Sequence, residues 1–295
     1  MSKILILGGS RYFGKRLVNL LLLEGGHEIT VATRGLSKVE YDAPVQSIRL
    51  DRKDEEALRL AAAAGPWDIV YDNICYSPDD AFAAVRAFDG QVGRYILTST
   101  LSVYDFSEQV ITESDFDPYG YKLRTGKAAD FSYGEGKRLA EAAFFQKADF
   151  PVCAMRIPIV LGPDDYTRRL HFHVERVMHG TPIGVPNPEA AMSLITSAEA
   201  ASFLLWLSKS PLMGPVNACS DGSMSIGGII GVIEEITGKQ ADIRPETVAE
   251  HMSPFGISAS WVMDHSKAQE AGYCFESVYD WLPHLIRDTA ACVEG

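Results

Sequence analysis

The chain has 295 residues, of which 46% are hydrophobic and 22% are charged. This length and composition fit one large α/β domain, or a main domain with a smaller second lobe, and they supply enough apolar residues for a sizeable core. The formal net charge of −12 disfavours nucleic acid as the main partner, because a phosphate backbone is bound by a basic face. A few arginines in one cleft are still able to attract an anionic small molecule.

The cysteines and the apolar segments predict a cytoplasmic protein without a membrane partner. Five scattered cysteines without a Cys-x-x-Cys spacing are typical of reduced thiols, not of a disulfide framework or a zinc site. We expect no metal site at His171 and His173, because no third ligand accompanies them. The N-terminus enters a strand almost at once, so we expect no signal peptide. The longest apolar runs fall short of the ~20 residues that a membrane span requires.

Strands and helices alternate through the first 160 residues. Apolar runs bounded by turn residues predict six strands, at 3–8, 27–34, 45–51, 67–74, 93–100 and 151–160. Helical periodicity predicts helices among them, at 14–24, 54–64, 78–89 and 133–148. Because short links join the elements, we predict an α/β fold with a doubly wound parallel sheet, the Rossmann fold. Ligands bind such a sheet beyond the carboxyl ends of its strands.

The pattern is looser after residue 160. Residues 162–189 are mixed in character and rich in Pro and Gly, and helices are predicted at 196–210 and 223–238 with the short strand GPVNACS between them. We expect residues 1–160 to form the NAD(P)-binding domain. We expect residues 161–295 to form mainly a small C-terminal substrate-binding lobe, partly interleaved with that domain.

The segment ILILGGSRYFGKRLV, residues 4–18, predicts a phosphate-binding turn between the first strand and the first helix. Glycines let backbone N–H groups approach a pyrophosphate, and the helix N-terminus adds positive potential. The strand–turn–helix context favours a dinucleotide site over a tight turn without a ligand. The candidate cofactor-binding residues in this turn are Gly8, Gly9, Ser10, Arg11, Tyr12, Phe13 and Gly14.

The end of the second strand favours NADP over NAD. An NAD site usually has a carboxylate there, which binds the ribose 2′-hydroxyl, whereas this chain has Thr33 and Arg34. An arginine holds a 2′-phosphate through charge-assisted hydrogen bonds, and Arg11 is a candidate second donor, with Lys38 a weaker third. The alternative is that these are solvated surface groups. Asp51 ends the third strand, where its carboxylate is placed to accept from the adenine amino group or to cap the next helix.

Tyr133 and Lys137 form a Tyr-x-x-x-Lys pair at the start of the fourth helix. Tyr133 is the only tyrosine in the chain with a lysine four residues on. One helical turn brings the ammonium beside the phenol, where it stabilises the phenolate that a general base requires. The segment LTSTLSVY supplies hydroxyls at the end of the fifth strand, and Thr100 is the candidate to bind the substrate oxygen. A Ser/Thr turn that satisfies its own backbone is the alternative for any one hydroxyl.

Together these motifs resemble the extended short-chain dehydrogenases/reductases, of the NAD(P)-dependent sugar-nucleotide epimerase/dehydratase family. TSTLSVYD resembles the family's Ser/Thr segment ending in VYG, and YGEGKRLAE resembles its YxxSKxxxE helix. MRIPIVLGP resembles its LRPxxVYGP, SLITSAEAA its F-I-H-V-x-D-V-A element, and GPVNACSDGSMSI its G-x-x-Y-N-[IV]-G segment. The resemblance runs along nearly the whole chain.

The resemblance implies an enzyme with Thr100, Tyr133 and Lys137 as its catalytic residues. It also implies that Arg156 and Pro158 line the nicotinamide site. Several features depart from the family pattern: Arg11 replaces the central glycine, DNIC replaces HLAA after the fourth strand, and the segment before Tyr133 is longer than usual. Leu101 and Ser102 offer no carboxylate to take an α-proton, so dehydration is the weaker option beside epimerisation and carbonyl reduction.

The resemblance also places the substrate near TRRLHFHVER, where Arg168 and Arg169 are candidates to bind it. A helix with a solvated basic face is the alternative, and Asp164 and Asp165 act against a phosphate nearby. By family analogy, the helices at 78–89 and 133–148 are the candidate surface of a homodimer. A non-catalytic NADP(H)-binding sensor is the competing function, and it predicts loss of the Tyr–Lys pair that this chain keeps.

Overall fold

The computed structural model describes residues 1–36 and 39–294 of the chain. Lys38, the weaker candidate for a 2′-phosphate, lies outside these residues. The strands in the described ranges are β1 (Ser2–Leu7), β2 (His27–Thr33), β3 (Gln46–Arg49), β4 (Trp67–Asp72), β5 (Val92–Thr100), β6 (Val152–Ile157), β7 (Ile159–Leu161), β8 (Ile183–Gly184), β9 (Ala191–Met192), β10 (Leu194–Thr196), β11 (Gly214–Asn217), β12 (Met224–Ser225) and β13 (Ile243–Arg244). The helices are α1 (Tyr12–Glu24), α2 (Glu55–Ala63), α3 (Pro78–Phe88), α4 (Tyr133–Lys147), α5 (Arg169–His179), α6 (Ser197–Leu207), α7 (Ile226–Thr237), α8 (Ser266–Glu270) and α9 (Val278–Glu294).

The central sheet confirms the predicted Rossmann architecture. Its order within the described chain is β11-β6-β5-β4-β1-β2-β3, and all neighbouring strands run parallel. Helices α2, α3 and α4 cover one face through a core that includes Leu58, Phe88 and Phe144. Helices α1 and α6 cover the other face through Leu17 and Leu204. The sheet is therefore buried on both sides, as the continuous apolar strands require.

The sixth predicted strand is two strands in the structure. Pro158 lies between β6 and β7, and β7 pairs with β10 instead of extending the main sheet. Proline has no N–H with which to continue a ladder, so the chain leaves the sheet at this point. The short strand predicted at GPVNACS becomes β11, which joins the main sheet beside β6.

The later part of the chain builds a second core over the sheet. Helices α5, α7 and α9 pack together around Val174, Ile230 and Ile286. We did not predict α9 from the sequence. Both β11, which joins the main sheet, and α6, which packs on one of its faces, follow residue 160, so the division at 160 stays a proposal.

The helix pair expected to form a homodimer is partly covered by the chain itself. Helix α3 packs on α4, and the segment before α4 lies against both. Gln146 Nε2 in α4 donates to the carbonyl oxygens of Pro118 at 2.7 Å and Tyr121 at 2.8 Å, and Asp79 in α3 accepts from Gly126 N at 2.7 Å. The homodimer therefore stays a prediction, which a measurement of the oligomeric state in solution would test. In the parts of the chain that the structure describes, no helix is both long and apolar enough to cross a membrane.

Candidate functional site

A cleft of about 770 Å³ lies at the carboxyl edge of the central sheet. The structure brings ten of the predicted site residues to its walls: Gly8, Ser10, Arg11, Tyr12, Phe13, Gly14, Thr33, Arg34, Asp51 and Tyr133. Residues that we had not named as site residues also line it: Gly35, Leu36, Leu50, Arg52, Lys53, Asn73, Ile74, Tyr76, Asp80, Ala128 and Tyr166. The cleft is thus built from the ends of β1 to β4 and the start of α4.

The glycine turn fits a phosphate group. Gly8 has φ +86°, and a Cβ there would lie 2.6 Å from the Ile74 side chain. A Cβ on Gly14 would overlap the carbonyl oxygen of Gly8, so α1 begins in direct contact with the turn. Arg11 is the N-cap of α1 but makes no side-chain capping bond, and the first turn holds no acidic residue. The first N–H groups of α1 are therefore suited to an anion. Gly9 is buried behind the turn.

The part of the cleft beside the glycine turn and the ends of β2 and β3 is basic although the chain is acidic. Arg11, Arg34, Arg52 and Lys53 line it, and the acidic residues in its described lining are Asp51 and Asp80. Arg11 and Arg34 are exposed there. Local cations of this kind concentrate an anionic ligand despite a net negative charge.

Asn73 and Tyr76 were not among the predicted site residues, and they lie next to the glycine turn and to Tyr133 of α4, respectively. Asn73 Oδ1 accepts from Thr98 Oγ1 at 2.7 Å, and its Nδ2 lies 3.5 Å from the Gly8 carbonyl oxygen. The Tyr76 ring lies 6.4 Å from the Tyr133 ring and 5.1 Å from Lys137 Nζ. Their position directly after β4, at the carboxyl edge of the sheet, was the available signal for both.

Tyr133 and Lys137 occupy different depths of the site. Tyr133 is 54% exposed and lines the cleft, whereas Lys137 is only 3% exposed. Lys137 Nζ donates to the carbonyl oxygens of Cys75 at 2.8 Å and Thr98 at 2.7 Å. A buried ammonium requires such partners, and these two hold it under the Tyr76 ring. Lys137 is therefore buried beneath the cleft, whereas the Tyr133 side chain lines it.

Two glycines allow α4 to approach the turns after β4 and β5. A Cβ on Gly134 would overlap the carbonyl oxygen of Ser102, and a Cβ on Gly136 would lie 2.6 Å from the carbonyl oxygen of Tyr76. Glycine costs helix stability relative to alanine, so its presence twice in the first turn is explained by these close contacts. These contacts fix the distance between the start of α4, where Tyr133 lies, and the Ser/Thr-rich turn that follows β5.

We predict that Gly136→Ala lowers the stability of the protein, because the Cβ collides with backbone that has little freedom to move. The expected loss is about 1–3 kcal/mol, typical of overpacking. Gly231→Ala in α7 is the matched control, since apart from its own helical backbone and chain neighbours no described atom lies within 4 Å of its Cβ position. There the helix propensity of alanine is expected to raise stability by up to ~1 kcal/mol. Urea unfolding midpoints measure both variants, and midpoints that move in the same direction would contradict the close-contact explanation.

Thr100 lies beside the cleft but caps a local turn. It is 7% exposed, its Oγ1 accepts from Ser102 N at 3.1 Å, and it lies 3.3 Å from Ser102 Oγ. This is the self-satisfied turn that we weighed as the alternative. Gly134 packs against Ser102 of the same turn, and Thr100 is not among the residues that line the cleft.

Arg156 is buried and fully hydrogen-bonded inside the protein, so its expected place at the nicotinamide site stays a prediction. Its side chain is 0% exposed and forms an ion pair with the equally buried Glu141 at 2.6 Å. Its remaining donors bond to Tyr104 Oη at 2.8 Å and to the carbonyl oxygens of Glu113 and Phe116. Every N–H of the guanidinium is thus engaged inside the protein. Pro158 is also buried and outside the cleft lining, where it ends β6.

Arg168 and Arg169 lie outside the cleft lining as well. Arg168 is exposed and pairs with Glu175 on α5 at 2.5 Å. Arg169 begins α5, and its carbonyl oxygen accepts from His173 Nδ1 at 2.8 Å. The structure therefore favours the amphipathic-helix alternative for these two arginines, and a substrate role for them stays a prediction.

The loop before α5 instead reaches the glycine turn. Asp164 pairs with Arg16 of α1 at 2.8 Å and accepts from Ser197 Oγ at 2.6 Å. Partial burial would raise the pKa of Asp164, but these bonds outweigh it and lower the pKa. The Tyr166 ring lies 5.9 Å from the Tyr12 ring and 5.8 Å from the Arg11 guanidinium. This loop therefore covers the turn through an aromatic contact and an ion pair.

No family model matches the chain. Among curated proteins, it is 27% identical over 199 residues to chloroplast stem-loop binding protein of 41 kDa b from Arabidopsis thaliana, covering 63% of the chain and 49% of that protein. It is 35% identical over 100 residues to 2′-dehydrokanamycin reductase from Streptomyces kanamyceticus, covering 34% and 28%. It is 24% identical over 270 residues to UDP-glucuronic acid decarboxylase 1 from Xenopus tropicalis, covering 82% and 62%. The chain thus spans less than two thirds of the length of each of these relatives.

Solved structures match over almost the whole chain. UDP-glucose 4-epimerase from Thermotoga maritima, solved with UDP-glucose, superposes with a TM-score of 0.76 at 16% identity and covers 99% of both chains. UDP-glucose 4-epimerase from Thermus thermophilus, solved with NAD, gives a TM-score of 0.74 at 17% identity, again over 99% of both chains. At this identity the match establishes the fold, so the resemblance inferred from the motifs is confirmed at the level of architecture.

Proposed function

We propose that the protein is an NAD(P)-dependent oxidoreductase of the epimerase/dehydratase type. Its substrate would be a sugar, a sugar nucleotide or another carbonyl or hydroxyl compound. The observation that carries this proposal is a single cleft that contains the glycine turn, Arg34 and Tyr133. A nucleotide-binding turn and a general acid/base in one cleft are what a hydride-transfer enzyme requires.

The roles follow from where each side chain lies. When bound, a nicotinamide cofactor would supply the hydride chemistry. Tyr133 would exchange a proton between its Oη and the substrate oxygen, since its half-exposed phenol faces the cleft. Lys137 would hold positive charge beneath that position, anchored on the carbonyl oxygens of Cys75 and Thr98. A role for Thr100 in orienting the substrate oxygen would require its hydroxyl, which donates to Ser102 Oγ at 3.3 Å, to turn toward the cleft.

The basic lining supports NADP as the preferred form of the cofactor. The end of β2 offers Arg34 where a carboxylate would repel a 2′-phosphate, and Arg11 faces the same cleft. One relative is named a 2′-dehydrokanamycin reductase, and two structural neighbours are UDP-glucose 4-epimerases solved with UDP-glucose or with NAD; these names support a nicotinamide dinucleotide and a sugar-like substrate. The scattered cysteines support a cytoplasmic location.

The cofactor proposal is tested by identifying the nucleotide released from denatured protein, then titrating the emptied protein with NADP and NAD. We expect NADP to bind more tightly. Arg34→Ala should weaken NADP binding by about 10- to 100-fold, as expected for a charge-assisted hydrogen bond worth ~1.5–3 kcal/mol, and leave the Kd for NAD almost unchanged. Arg86→Ala is the control, because Arg86 is exposed and pairs with Glu55 away from the cleft. Tightly retained NAD, or an Arg34→Ala variant with unchanged NADP affinity, would overturn the assignment to NADP.

A further inference from the structure

Three tyrosines line the end of the cleft at which α4 begins. Tyr76 follows β4, Tyr133 is the first residue of α4, and Tyr166 lies in the loop before α5. These residues are 43%, 54% and 64% exposed, respectively. The Tyr76 ring lies 6.4 Å from the Tyr133 ring, and Tyr166 packs edge-on against Tyr12 of the glycine turn at 5.9 Å. This tyrosine cluster, Tyr76, Tyr133 and Tyr166, therefore presents aromatic surface that is open to a ligand.

The lysines and arginines in the described lining of the cleft belong to other elements. Arg34 follows β2, and Arg52 and Lys53 follow β3. In the sheet, β2 and β3 lie on the opposite side of β1 from β4, which carries Tyr76 at its end. Arg11 contacts the Tyr166 ring at 5.8 Å but belongs to the glycine turn, where the proposed dinucleotide binds. The cations of the cleft are thus placed for the dinucleotide and not for a second ligand beside Tyr133.

Arginines near the tyrosine cluster but outside the cleft lining are paired with carboxylates. The pairs are Arg16 with Asp164 at 2.8 Å, Arg138 with Asp105 at 2.6 Å and Arg168 with Glu175 at 2.5 Å. In each pair the carboxylate balances the guanidinium charge, so the pair as a whole has little attraction for a further anion. A diphosphate is normally bound by cations whose charge is not already balanced in this way.

The electrostatic surroundings of the phenols are also unfavourable to an anion. Burial raises the pKa of the Tyr12 phenol. The carboxylates of Asp165 and Asp164 raise this pKa further, and Arg169 offsets them only in part. Burial raises the pKa of the Tyr76 phenol too, and the neighbouring ionisable groups act in the same direction. A diphosphate beside these phenols would face the same carboxylates, on a chain whose net charge is −12.

We infer that the substrate is an uncharged carbonyl compound or sugar that packs against the tyrosine cluster and carries no diphosphate. This inference rests on the proposed oxidoreductase function and narrows its substrate class. Tyrosine side chains offer apolar contact area together with a hydroxyl, which suits a neutral molecule that presents one oxygen to Tyr133 Oη. A nucleotide sugar would instead require cations at its diphosphate.

The first test is a calorimetric titration of the NADP-saturated protein with UDP, the part that all UDP-sugars share. Because NADP fills the dinucleotide site, any binding of UDP reports on the rest of the cleft. The titration is made at low ionic strength, where a cation that holds a phosphate acts most strongly. We expect a Kd for UDP weaker than about 1 mM, and a tighter Kd would overturn the inference.

The second test compares NADPH oxidation over a panel of uncharged aldehydes, ketones and keto sugars with the epimerisation of UDP-glucose. We expect turnover of at least one uncharged compound and no turnover of UDP-glucose. Epimerisation of UDP-glucose would overturn the inference and leave the proposed function intact. A protein that binds NADP but turns over neither class, or that does not bind NADP, would overturn the proposed function together with the inference.

Tyr76→Ala tests whether the substrate contacts the tyrosine cluster. It is expected to raise the KM for the uncharged substrate about 3- to 10-fold through loss of one aromatic contact, whereas Tyr76→Phe keeps the ring and should stay within about threefold of the wild type. Tyr119→Ala is the matched control, because Tyr119 is also half-exposed but lies outside the cleft lining. Thermal unfolding and the Kd for NADP verify that the variants are folded. A wild-type KM in Tyr76→Ala would overturn the cluster as the substrate site.

Discussion

Tyr133→Phe is expected to lower the turnover number by about 10²- to 10⁴-fold, the usual contribution of a positioned general acid/base. The phenol Oη is the group that the proposed chemistry uses, and phenylalanine removes it without changing the ring. The ring contact with Tyr76 at 6.4 Å is retained, so the variant should fold and bind NADP with unchanged Kd. The measurement is NADPH oxidation and UDP-sugar epimerisation over a carbonyl and sugar panel, beside a titration with NADP.

Tyr119→Phe is the matched control for this experiment. Tyr119 is 57% exposed and packs on Phe145 outside the cleft, so its hydroxyl should be dispensable for turnover. Turnover of Tyr133→Phe at the wild-type rate would show that Tyr133 is not the acid/base. Tight NADP binding without turnover of any panel substrate by the wild-type protein would favour the sensor function instead.

Glu141→Gln is expected to destabilise the protein by about 3–5 kcal/mol, because it leaves the Arg156 charge uncompensated in the core. Both side chains are 0% exposed, and Ser99 Oγ also donates to Glu141. Arg156 in turn bonds to the carbonyl oxygens of Glu113 and Phe116. The pair therefore joins α4 to β5, β6 and the segment that follows β5. The urea unfolding midpoint, with the slope of the transition, measures the loss.

The double variant Glu141→Leu/Arg156→Met distinguishes a broken pair from a disturbed core. Replacing both charges by apolar groups removes the uncompensated ion, so the double variant should be much more stable than Glu141→Gln. Arg86→Ala breaks an exposed pair with Glu55 and should leave the midpoint almost unchanged. A double variant that loses as much stability as Glu141→Leu and Arg156→Met lose together, each measured alone, would contradict this explanation.

The order of strands and helices in the first 160 residues was predictable because its signals are local. A run such as ILIL followed by glycines is apolar on both faces wherever it lies, and it becomes β1. The turn at Gly8 and Gly14 was predictable for the same reason, since the spacing of these glycines is a short local motif. The break of the sixth strand at Pro158 could have been predicted from the missing N–H of proline. We predicted one continuous strand because the residues on either side of Pro158 are apolar.

The fold class, the glycine turn after β1 and the place of Tyr133 at the start of α4 could all be predicted from the sequence, since periodicity and short motifs report local conformation. The burial of individual polar groups could not be predicted in this way, because it depends on partners far along the chain. Arg156 is in the core because Glu141 of α4 faces β6, and Arg52, which follows β3, is buried because it pairs with Asp72 at the end of β4, three places away in the sheet. The role of Gly136 likewise appears only when α4 meets the backbone of Tyr76. Such contacts follow from the docking of whole elements, which no local pattern encodes.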